Sequence, residues 1–275
     1  GPGGGPVPGG GRGRRRRLGP IDRTAVPVLS VRGLATHAPH GECPLRGVDL
    51  DLWAGEILGI AGVDGNGQKH LAEALAGQRR AAAGRILIDG RDVTALGVPE
   101  RRRLGLRYVT DERLGEGTVG AFSVATNLVL KEIGAPTLWR HGLTLWDRIH
   151  AHAREQIRRN DIRTPSERTP LGRLSGGNIQ KVLLARELGG LARVAVFNKP
   201  TYGLDLHHIR LARARIREGA EAGLATILIS TELDELIELS DRIAVMVQGH
   251  IVGILDNEEG VERGIGLLMT GARAA

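Results

Sequence analysis

The residues with the clearest chemical potential form a glycine-rich loop between a strand and a helix. The apolar run from Ile57 to Ala61 predicts a strand buried on both faces, and Leu71 to Ala76 predicts the helix that follows. Glycines let the backbone N–H groups of such a loop turn towards an anion, and the N-terminal end of the helix adds the positive end of its dipole. This order predicts a phosphate cradle made by Gly62, Val63, Asp64, Gly65, Asn66, Gly67, Gln68, Lys69 and His70.

Two positions of this loop depart from the phosphate-loop pattern G-x-x-x-x-G-K-[ST]. Gly62 and Gly67 fit the pattern, but Gln68 stands at the lysine position and Lys69 at the hydroxyl position. The loop therefore lacks both the usual cation for phosphate and the hydroxyl that helps to hold Mg²⁺. A shift of one residue would bring Lys69 to the phosphates, and the sequence leaves that alternative open. Asp64 adds a carboxylate that repels phosphate unless a cation or a hydrogen bond intervenes.

The rest of the chain alternates short β-rich runs with helical runs, which predicts an α/β fold. Apolar and acidic residues alternate strictly from Val48 to Leu52, so this segment is expected to be a half-exposed strand. A helix is predicted after Ser175, and residues 122–190 carry almost no strand signal, which indicates a mainly helical insertion. Further strands are predicted at residues 28–31, 85–88, 106–109, 194–197 and 226–230, and a hairpin at 243–255.

Composition separates the first residues from the folded region. Residues 1–25 are rich in Gly, Pro and Arg, so we expect a disordered linker there, one domain at 26–271 and a short tail at 272–275. The net charge of +7 would fit a nucleic-acid partner, but much of the excess lies in this linker. Because such segments are usually solvated, we do not expect nucleic acid as a partner.

The cysteine content and the hydropathy of the sequence bear on disulfides, zinc sites and membrane-spanning segments. The single cysteine, Cys43, cannot form an internal disulfide, and no Cys/His spacing resembles a set of zinc ligands, so no metal site is predicted on that basis. No apolar run approaches the roughly 20 residues that cross a bilayer. Any association with a membrane is therefore expected to go through a partner.

A second motif strengthens the interpretation of residues 62–70 as a phosphate loop. Residues 174–181 resemble the signature of ABC ATPases, with Leu174, Ser175, Gly176, Gly177 and Asn178 as its first residues. Residues 199–205 are similar to the segment from that family's catalytic carboxylate into its D-loop, here Gly203, Leu204 and Asp205, and residues 232–246 to the stretch after its switch position. Over about residues 28–271 the chain thus resembles the family, which implies an α/β, ABC-type P-loop ATPase core with an antiparallel β subdomain and a helical insertion.

Within that family, three segments resemble the second, C-terminal ATPase domain of tandem importer proteins for simple sugars or nucleosides. They are residues 62–68, residues 108–113 and the closing residues 266–271. The resemblance implies ATP as the ligand and a partner ABC ATPase domain, placed upstream in the same polypeptide. It also implies transmembrane permease subunits, an indirect link to a solute-binding protein, and a peripheral location on the cytoplasmic face of the cell membrane.

The same resemblance places substitutions at the family's catalytic positions. Asp111 stands at the glutamine of the Q-loop and Thr231 at the switch histidine, while Asn198 and Lys199 replace the Asp-Glu pair before the D-loop. An amide is a poorer ligand for Mg²⁺ than a carboxylate, and a protonated lysine cannot accept a proton from water. We therefore expect weak or no hydrolysis by this domain alone, with Mg²⁺ doubtful at its own site and bound instead at the partner's site, to which this chain donates its signature.

Two other functions stay open from the sequence. One is a soluble tandem ABC ATPase that acts on nucleic acid or ribosomes, for which the basic linker is the only support. The other is a non-enzymatic pseudo-ATPase remnant, for which Lys69 and Lys199 are the support. These two lysines could also partly replace Mg²⁺ as fixed positive charges, which would favour holding a nucleotide without cleaving it.

Overall fold

A six-stranded, mostly parallel sheet forms the centre of the fold. The computed structural model describes residues 20–140 and 143–271, so most of the predicted linker and all of the predicted tail lie outside the described residues. The strands are β1 (Leu29–Thr36), β2 (Arg46–Leu52), β3 (Ile57–Ala61), β4 (Ala81–Ile88), β5 (Arg91–Asp92), β6 (Leu106–Val109), β7 (Trp139–Arg140), β8 (Leu143–Thr144), β9 (Val194–Asn198), β10 (Ala225–Ile229), β11 (Arg242–Val247) and β12 (His250–Asp256).

The strand order of the central sheet is β12-β11-β3-β10-β9-β6, and only β12 runs antiparallel to its neighbour. Every residue of β3, β9 and β10 is buried, as expected for strands that are covered on both faces. Because parallel strands end at the same edge, the loops that follow β3, β10, β9 and β6 lie side by side. This edge brings the predicted phosphate loop next to the segments after β6 and β9.

A second sheet, of order β2-β1-β4-β5, is antiparallel and packs against the central one. In β2 the side chains of Val48, Leu50 and Leu52 are buried and those between them are more exposed, so the predicted half-exposed strand is confirmed. β1 and β4 are longer than predicted because residues 81–83 pair with the end of β1. Residues 81–84 are three alanines and a glycine, which have low β propensity, so the sequence did not predict this part of the strand.

Eight helices in the described residues cover the sheets and form a separate layer. They are α1 (Gln68–Ala76), α2 (Val98–Arg103), α3 (Val124–Leu128), α4 (Trp146–Arg159), α5 (Gly176–Glu187), α6 (Leu206–Glu221), α7 (Leu233–Leu239) and α8 (Val261–Thr270), with 3-10 turns at Leu130–Glu132 and Leu171–Arg173. Within the described ranges, none of these helices is both long and apolar enough to cross a membrane.

Helices α3, α4 and α5 share an apolar cluster that is distinct from the two clusters on the central sheet. Val124, Ile149 and Ile179 contribute one side chain each from the three helices. The short pair β7 and β8 also lies in this region, and the sequence did not predict it. The boundaries of the helical insertion, about 122–190, stay a prediction.

A buried ionic cluster ties this helical layer to the central sheet. Glu187, at the end of α5, is fully buried, and its carboxylate lies 2.8 Å from Lys131 Nζ and 2.6 Å from Arg102 Nη1. Arg186 also donates to Glu187 Oε1 at 2.8 Å and to the carbonyl of Gly117 at 2.7 Å. Burial by itself would raise the pKa of Glu187, but the three cations outweigh it and hold the pKa below its usual value.

Glu187→Gln is expected to lower the free energy of unfolding by about 3–5 kcal/mol at neutral pH, because it leaves three partly or fully buried cations without a carboxylate. The contribution of Glu187 is complete above its unfolded-state pKa of about 4.3 and is lost as the pH falls through the lower folded-state pKa. Denaturant unfolding of both proteins from pH 7 to pH 3 measures this difference, which should shrink at the acidic end.

The matched control is Glu155→Gln, which removes an exposed carboxylate paired with Arg158 on α4. A change within about 0.5 kcal/mol is expected for this surface pair. Equal losses in the two variants, or a Glu187→Gln loss that does not vary with pH, would contradict the role given to the buried cluster.

Candidate functional site

A cleft of about 390 Å³ lies at the edge where the parallel strands end. It collects residues from the predicted phosphate loop, from the segments after β6 and β9, and from the connection between β1 and β2. Its lining comprises Gly41, Glu42, Cys43, Asp64, Gly65, Gly67, Gln68, Lys69, His70, Asp111, Asn198 and Lys199.

The phosphate loop has the backbone that its glycines predict. Gly65 and Gly67 have φ values of 84° and 103°, and Gly67 caps α1, which therefore begins before the predicted Leu71. A Cβ on Gly62 would lie 2.6 Å from the carbonyl oxygen of Met246, so only glycine fits that position. The side chain of Asn66 holds the loop by accepting from the N–H of Gln248 at 2.7 Å. The cradle is thus anchored to the turn between β11 and β12.

Gln68 lies inside the loop and Lys69 lies outside it. The Gln68 side chain is buried and donates to the carbonyl of Val63 at 3.0 Å, while its Oε1 has no hydrogen-bond partner among the described residues. Lys69 is 61% exposed, and its Nζ lies 3.8 Å from Oε1 of Glu73, one turn further along α1. The structure therefore has the unshifted register, with an amide where the pattern has a lysine.

Lys199 crosses the cleft to the phosphate loop. Its Nζ lies 2.8 Å from Oδ1 of Asp64, and its side chain is 18% exposed against 67% for Asp64. Lys199 has a left-handed backbone, with φ 45°, and its N–H donates to the carbonyl of Ile229 in β10 at 2.8 Å. The ammonium supplies the cation that offsets the charge of Asp64. No local signal reveals this pair, because its members are far apart in the chain.

Asn198 and Asp111 meet at the floor of the cleft. Nδ2 of Asn198 donates to Oδ1 of Asp111 at 3.1 Å, and the other amide atom, Oδ1, is buried without a partner among the described residues. Thr231 follows β10 and is exposed, and it is not among the residues that line the cleft. Three of the four positions predicted to be substituted catalytic positions, Asp111, Asn198 and Lys199, therefore line the cleft, and Thr231 is not among its lining residues.

These residues do not fit a bound Mg²⁺ ion. Lys69 and Lys199 put two ammonium groups at the cleft, and the amide of Asn198 turns a donor towards Asp111. Divalent magnesium needs oxygen ligands, and each nearby cation raises the electrostatic cost of placing it there. Among the described residues, no group of three His, Cys, Asp or Glu side chains is placed to hold a metal ion.

His70 belongs to a hydrogen-bonded chain at the rim that the sequence did not reveal. The Thr36 hydroxyl accepts from the N–H of Leu45 at 2.9 Å and lies 2.9 Å from Nδ1 of His70, whose Nε2 lies 2.6 Å from Oε2 of Glu42. The hydrogen bond from His70, aided by the charge of Arg79, lowers the pKa of Glu42. Glu42 is therefore an anion at the rim near neutral pH.

The signature residues lie at the start of α5 and outside the cleft lining. Ser175 caps the helix, since its Oγ accepts from Nδ2 of Asn178 at 2.9 Å and from the backbone N–H of the same residue at 3.4 Å. Ser175 and Gly176 are exposed, whereas Gly177 is buried where a Cβ would meet the ring of His208 at 2.2 Å. Ser175 and Gly176 are therefore accessible at the start of α5, and Gly177 allows α5 to pack closely on α6.

Two side chains connect the signature helix to the other predicted motifs. Arg113, in the segment after β6, donates to Oε1 of Gln180 at 2.9 Å and also to the carbonyl of Tyr202. Asp205, the last of the D-loop residues, caps α6 and lies 2.8 Å from Nδ1 of His208, the ring that covers Gly177. The exposed Gly203 and the partly buried Leu204 precede it. Hydrogen bonds and packing thus link the predicted Q-loop segment, the signature helix and the D-loop.

Solved structures with the same architecture are ATP-binding cassettes. A nucleotide-free cassette from an ABC transporter superposes with a TM-score of 0.74 at 18% identity and covers 91% of this chain and 100% of that one. A second ABC transporter cassette, in its ADP conformation, gives a TM-score of 0.71 at 19% identity and covers 88% of this chain and 96% of that one. These likenesses confirm the predicted ABC-type α/β fold.

Sequence comparisons identify longer relatives. The chain is 34% identical to the nucleoside import ATP-binding protein NupA of Lactococcus lactis, over 89% of this chain and 48% of the relative. It is 38% identical to the glucose import ATP-binding protein TsgD13 of Haloferax volcanii, over 94% and 48%, and 38% identical to the ribose import ATP-binding protein RbsA 1 of Rubrobacter xylanophilus, over 90% and 49%. The chain spans about half the length of the curated relatives it matches.

The family model described as ABC transporter matches residues 45–202, which include the phosphate loop and the signature and end just before the D-loop. Members of this ATPase family bind ATP with Mg²⁺. With the cassette fold and the phosphate loop described above, the match shows that the chain belongs to the ABC transporter family, as an ATPase domain homologous to sugar and nucleoside import ATP-binding proteins.

Proposed function

We propose that this chain is part of the ATP-binding component of an importer for simple sugars or nucleosides. In this proposal it is the second, C-terminal domain of a tandem ATPase, holds nucleotide without hydrolysing it, and donates its signature to the partner domain. The observation that carries the proposal is the Lys199 ammonium, 2.8 Å from Asp64, at the position where hydrolysis needs a carboxylate.

The chemistry of the cleft opposes hydrolysis. A protonated lysine cannot accept a proton from the attacking water, and Asn198 directs its NH₂ group at Asp111. Gln68, an amide, occupies the position of the lysine that stabilises charge on the phosphates. Removing one such electrostatic partner costs roughly 3 kcal/mol in the transition state, so the combined substitutions leave little turnover.

The exposed end of α5 supports the signature-donor role. Ser175 and Gly176 lie at the N-terminal end of a helix of 12 residues, where free N–H groups and the helix dipole favour an anion. A phosphate held by another ATPase domain could bind there, with Mg²⁺ in that domain's intact site. The relatives, about twice as long as this chain, have room for such a second domain.

The relatives also support the partners and the place of action. Their printed names describe import of nucleosides, glucose and ribose. We therefore include permease subunits, an indirect link to a solute-binding protein, and a peripheral position on the cytoplasmic face of the membrane in the proposal. These names give no support to a role on nucleic acid or ribosomes.

The purified chain with ATP and Mg²⁺ is expected to release phosphate no faster than a blank preparation, because the cleft lacks a group that polarises water. A coupled phosphate-release assay at neutral pH measures this. Lys199→Ala serves as the control for contaminating ATPases. Turnover that survives purification and disappears in Lys199→Ala would contradict the degenerate site.

In the complete importer, Ser175→Arg and Ser175→Asp are each expected to lower ATP-driven solute uptake by about 100-fold or more, as expected for removal of a transition-state phosphate contact. Asp is a good helix cap, so the second variant keeps α5 intact and changes mainly the charge at the phosphate contact. Uptake of labelled solute into vesicles is the measurement.

Ser123→Asp is the matched control, because Ser123 caps α3 in the same way, by accepting from the N–H of Thr126 at 3.1 Å. Uptake by this variant should stay within about threefold of the wild type, since only a structural cap is exchanged. Normal uptake in both Ser175 variants would rule out the donor role.

A further inference from the structure

We propose that the ammonium of Lys199 replaces Mg²⁺ as the counter-charge for nucleotide phosphate in this cleft, and that phosphate displaces Asp64 from it. The inference rests on the proposed nucleotide site and specifies how that site binds its ligand. It predicts a nucleotide affinity that does not depend on Mg²⁺.

The carboxylate of Asp64 already occupies an anion position in the cradle. Its Oδ1 lies 2.8 Å from Nζ of Lys199 and accepts from the backbone N–H of Gly65 at 3.2 Å. A lysine and a loop N–H are the two kinds of donor that a phosphate loop offers to a phosphate oxygen. Asp64 therefore stands in for a phosphate group, and its two donors define where a phosphate would bind.

The pair is weak enough to be exchanged. Asp64 is 67% exposed, and an ion pair with one partner in solvent contributes little to stability. A triphosphate carries more charge than one carboxylate and accepts hydrogen bonds from several loop N–H groups at once, in addition to the helix dipole of α1. The phosphate should therefore displace the carboxylate, which is free to turn towards solvent.

Lys199 is better placed for this role than Lys69, the other lysine at the cleft. Lys199 is 18% exposed and fixed by a backbone hydrogen bond to β10, whereas Lys69 is 61% exposed and leans towards Glu73 on its own helix. A fixed and less solvated charge interacts more strongly with a phosphate. Two anions, Glu42 and Asp111, also line the cleft and oppose the ligand, so the affinity should depend strongly on Lys199.

The test is equilibrium binding of a fluorescent ATP analogue to the full chain, in excess EDTA and in excess Mg²⁺. We expect the two Kd values to agree within about threefold, because the cation is part of the protein. Lys199→Met should weaken binding in EDTA by about 10-fold or more, since a charge-assisted contact contributes at least 1.4 kcal/mol, which is a tenfold change. Lys199→Arg should retain most of the affinity because it keeps the charge.

Variants at Lys69 and Asp64 test the roles of the second lysine and of the competing carboxylate. Lys69→Met makes the same change of side chain at the other lysine of the cleft and should weaken binding less than Lys199→Met, because Lys69 is 61% exposed and leans towards Glu73. Asp64→Asn removes the competing anion and should tighten binding by about three- to tenfold in both buffers. Thermal unfolding of each variant establishes that it is folded before binding is compared.

The outcomes distinguish this inference from the proposed function. Binding that requires Mg²⁺, or a Kd unchanged in folded Lys199→Met, would contradict the role of Lys199 as the counter-charge. Either result would still be compatible with a nucleotide site in the cleft. No binding by the wild type or by Asp64→Asn in either buffer would overturn the nucleotide site as well. Magnesium-independent binding that is weakened more by Lys199→Met than by Lys69→Met would support both, and an equal or larger loss in Lys69→Met would contradict the role given to Lys199.

Discussion

The parallel pairing of β3, β10, β9 and β6 is the constraint on which the candidate site depends. The loop after each of these strands lies at the same edge of the sheet, and the backbone hydrogen bonds fix the spacing between neighbouring strands. Asp64, Asp111 and Lys199 meet because their strands end there, although long stretches of sequence separate them. Every residue of β3, β9 and β10 is buried, so this part of the ladder is covered on both faces.

The cleft has the backbone of a phosphate cradle, and the proposed loss of hydrolysis rests on the side chains around it. The loop retains the glycine conformations and the helix start of a phosphate cradle. The groups around it are an amide, two ammonium groups and carboxylates that are already hydrogen-bonded, which is a poor set for a divalent cation and for activating water. In the proposed function, such a site attracts an anion without promoting attack on it.

The signature is positioned by interactions far from the cleft. Arg113 connects Gln180 of α5 with the carbonyl of Tyr202, and the close approach of Gly177 to His208 packs α5 on α6. At the other end of α5, the buried cluster around Glu187 ties the helix to α2 and to the turn that follows α3. The exposed Ser175 thus lies at the start of a helix that has contacts at both ends, and in the proposed donor role these contacts would hold it in one geometry.

The sequence by itself determined the local elements and the identity of the motifs. The apolar run of β3, the alternation in β2 and the glycines of the loop are short-range signals, and the cap at Ser175 is decided by residues within one turn. It also predicted the ABC-type fold, because the order of motifs along the chain is specific. It left open the register of the phosphate loop and the partner of Asp64.

Only the tertiary structure decided those points, along with the extension of β4 onto β1 and the chain from Thr36 through His70 to Glu42. The pairing of Lys199 with Asp64 depends on where β9 and β3 end in the sheet, with β10 between them. The position of Gln68 inside the loop depends on its hydrogen bond to Val63 once α1 is packed. Sequence patterns report neighbours along the chain, whereas these contacts arise from pairing and packing between distant segments, which no local periodicity encodes.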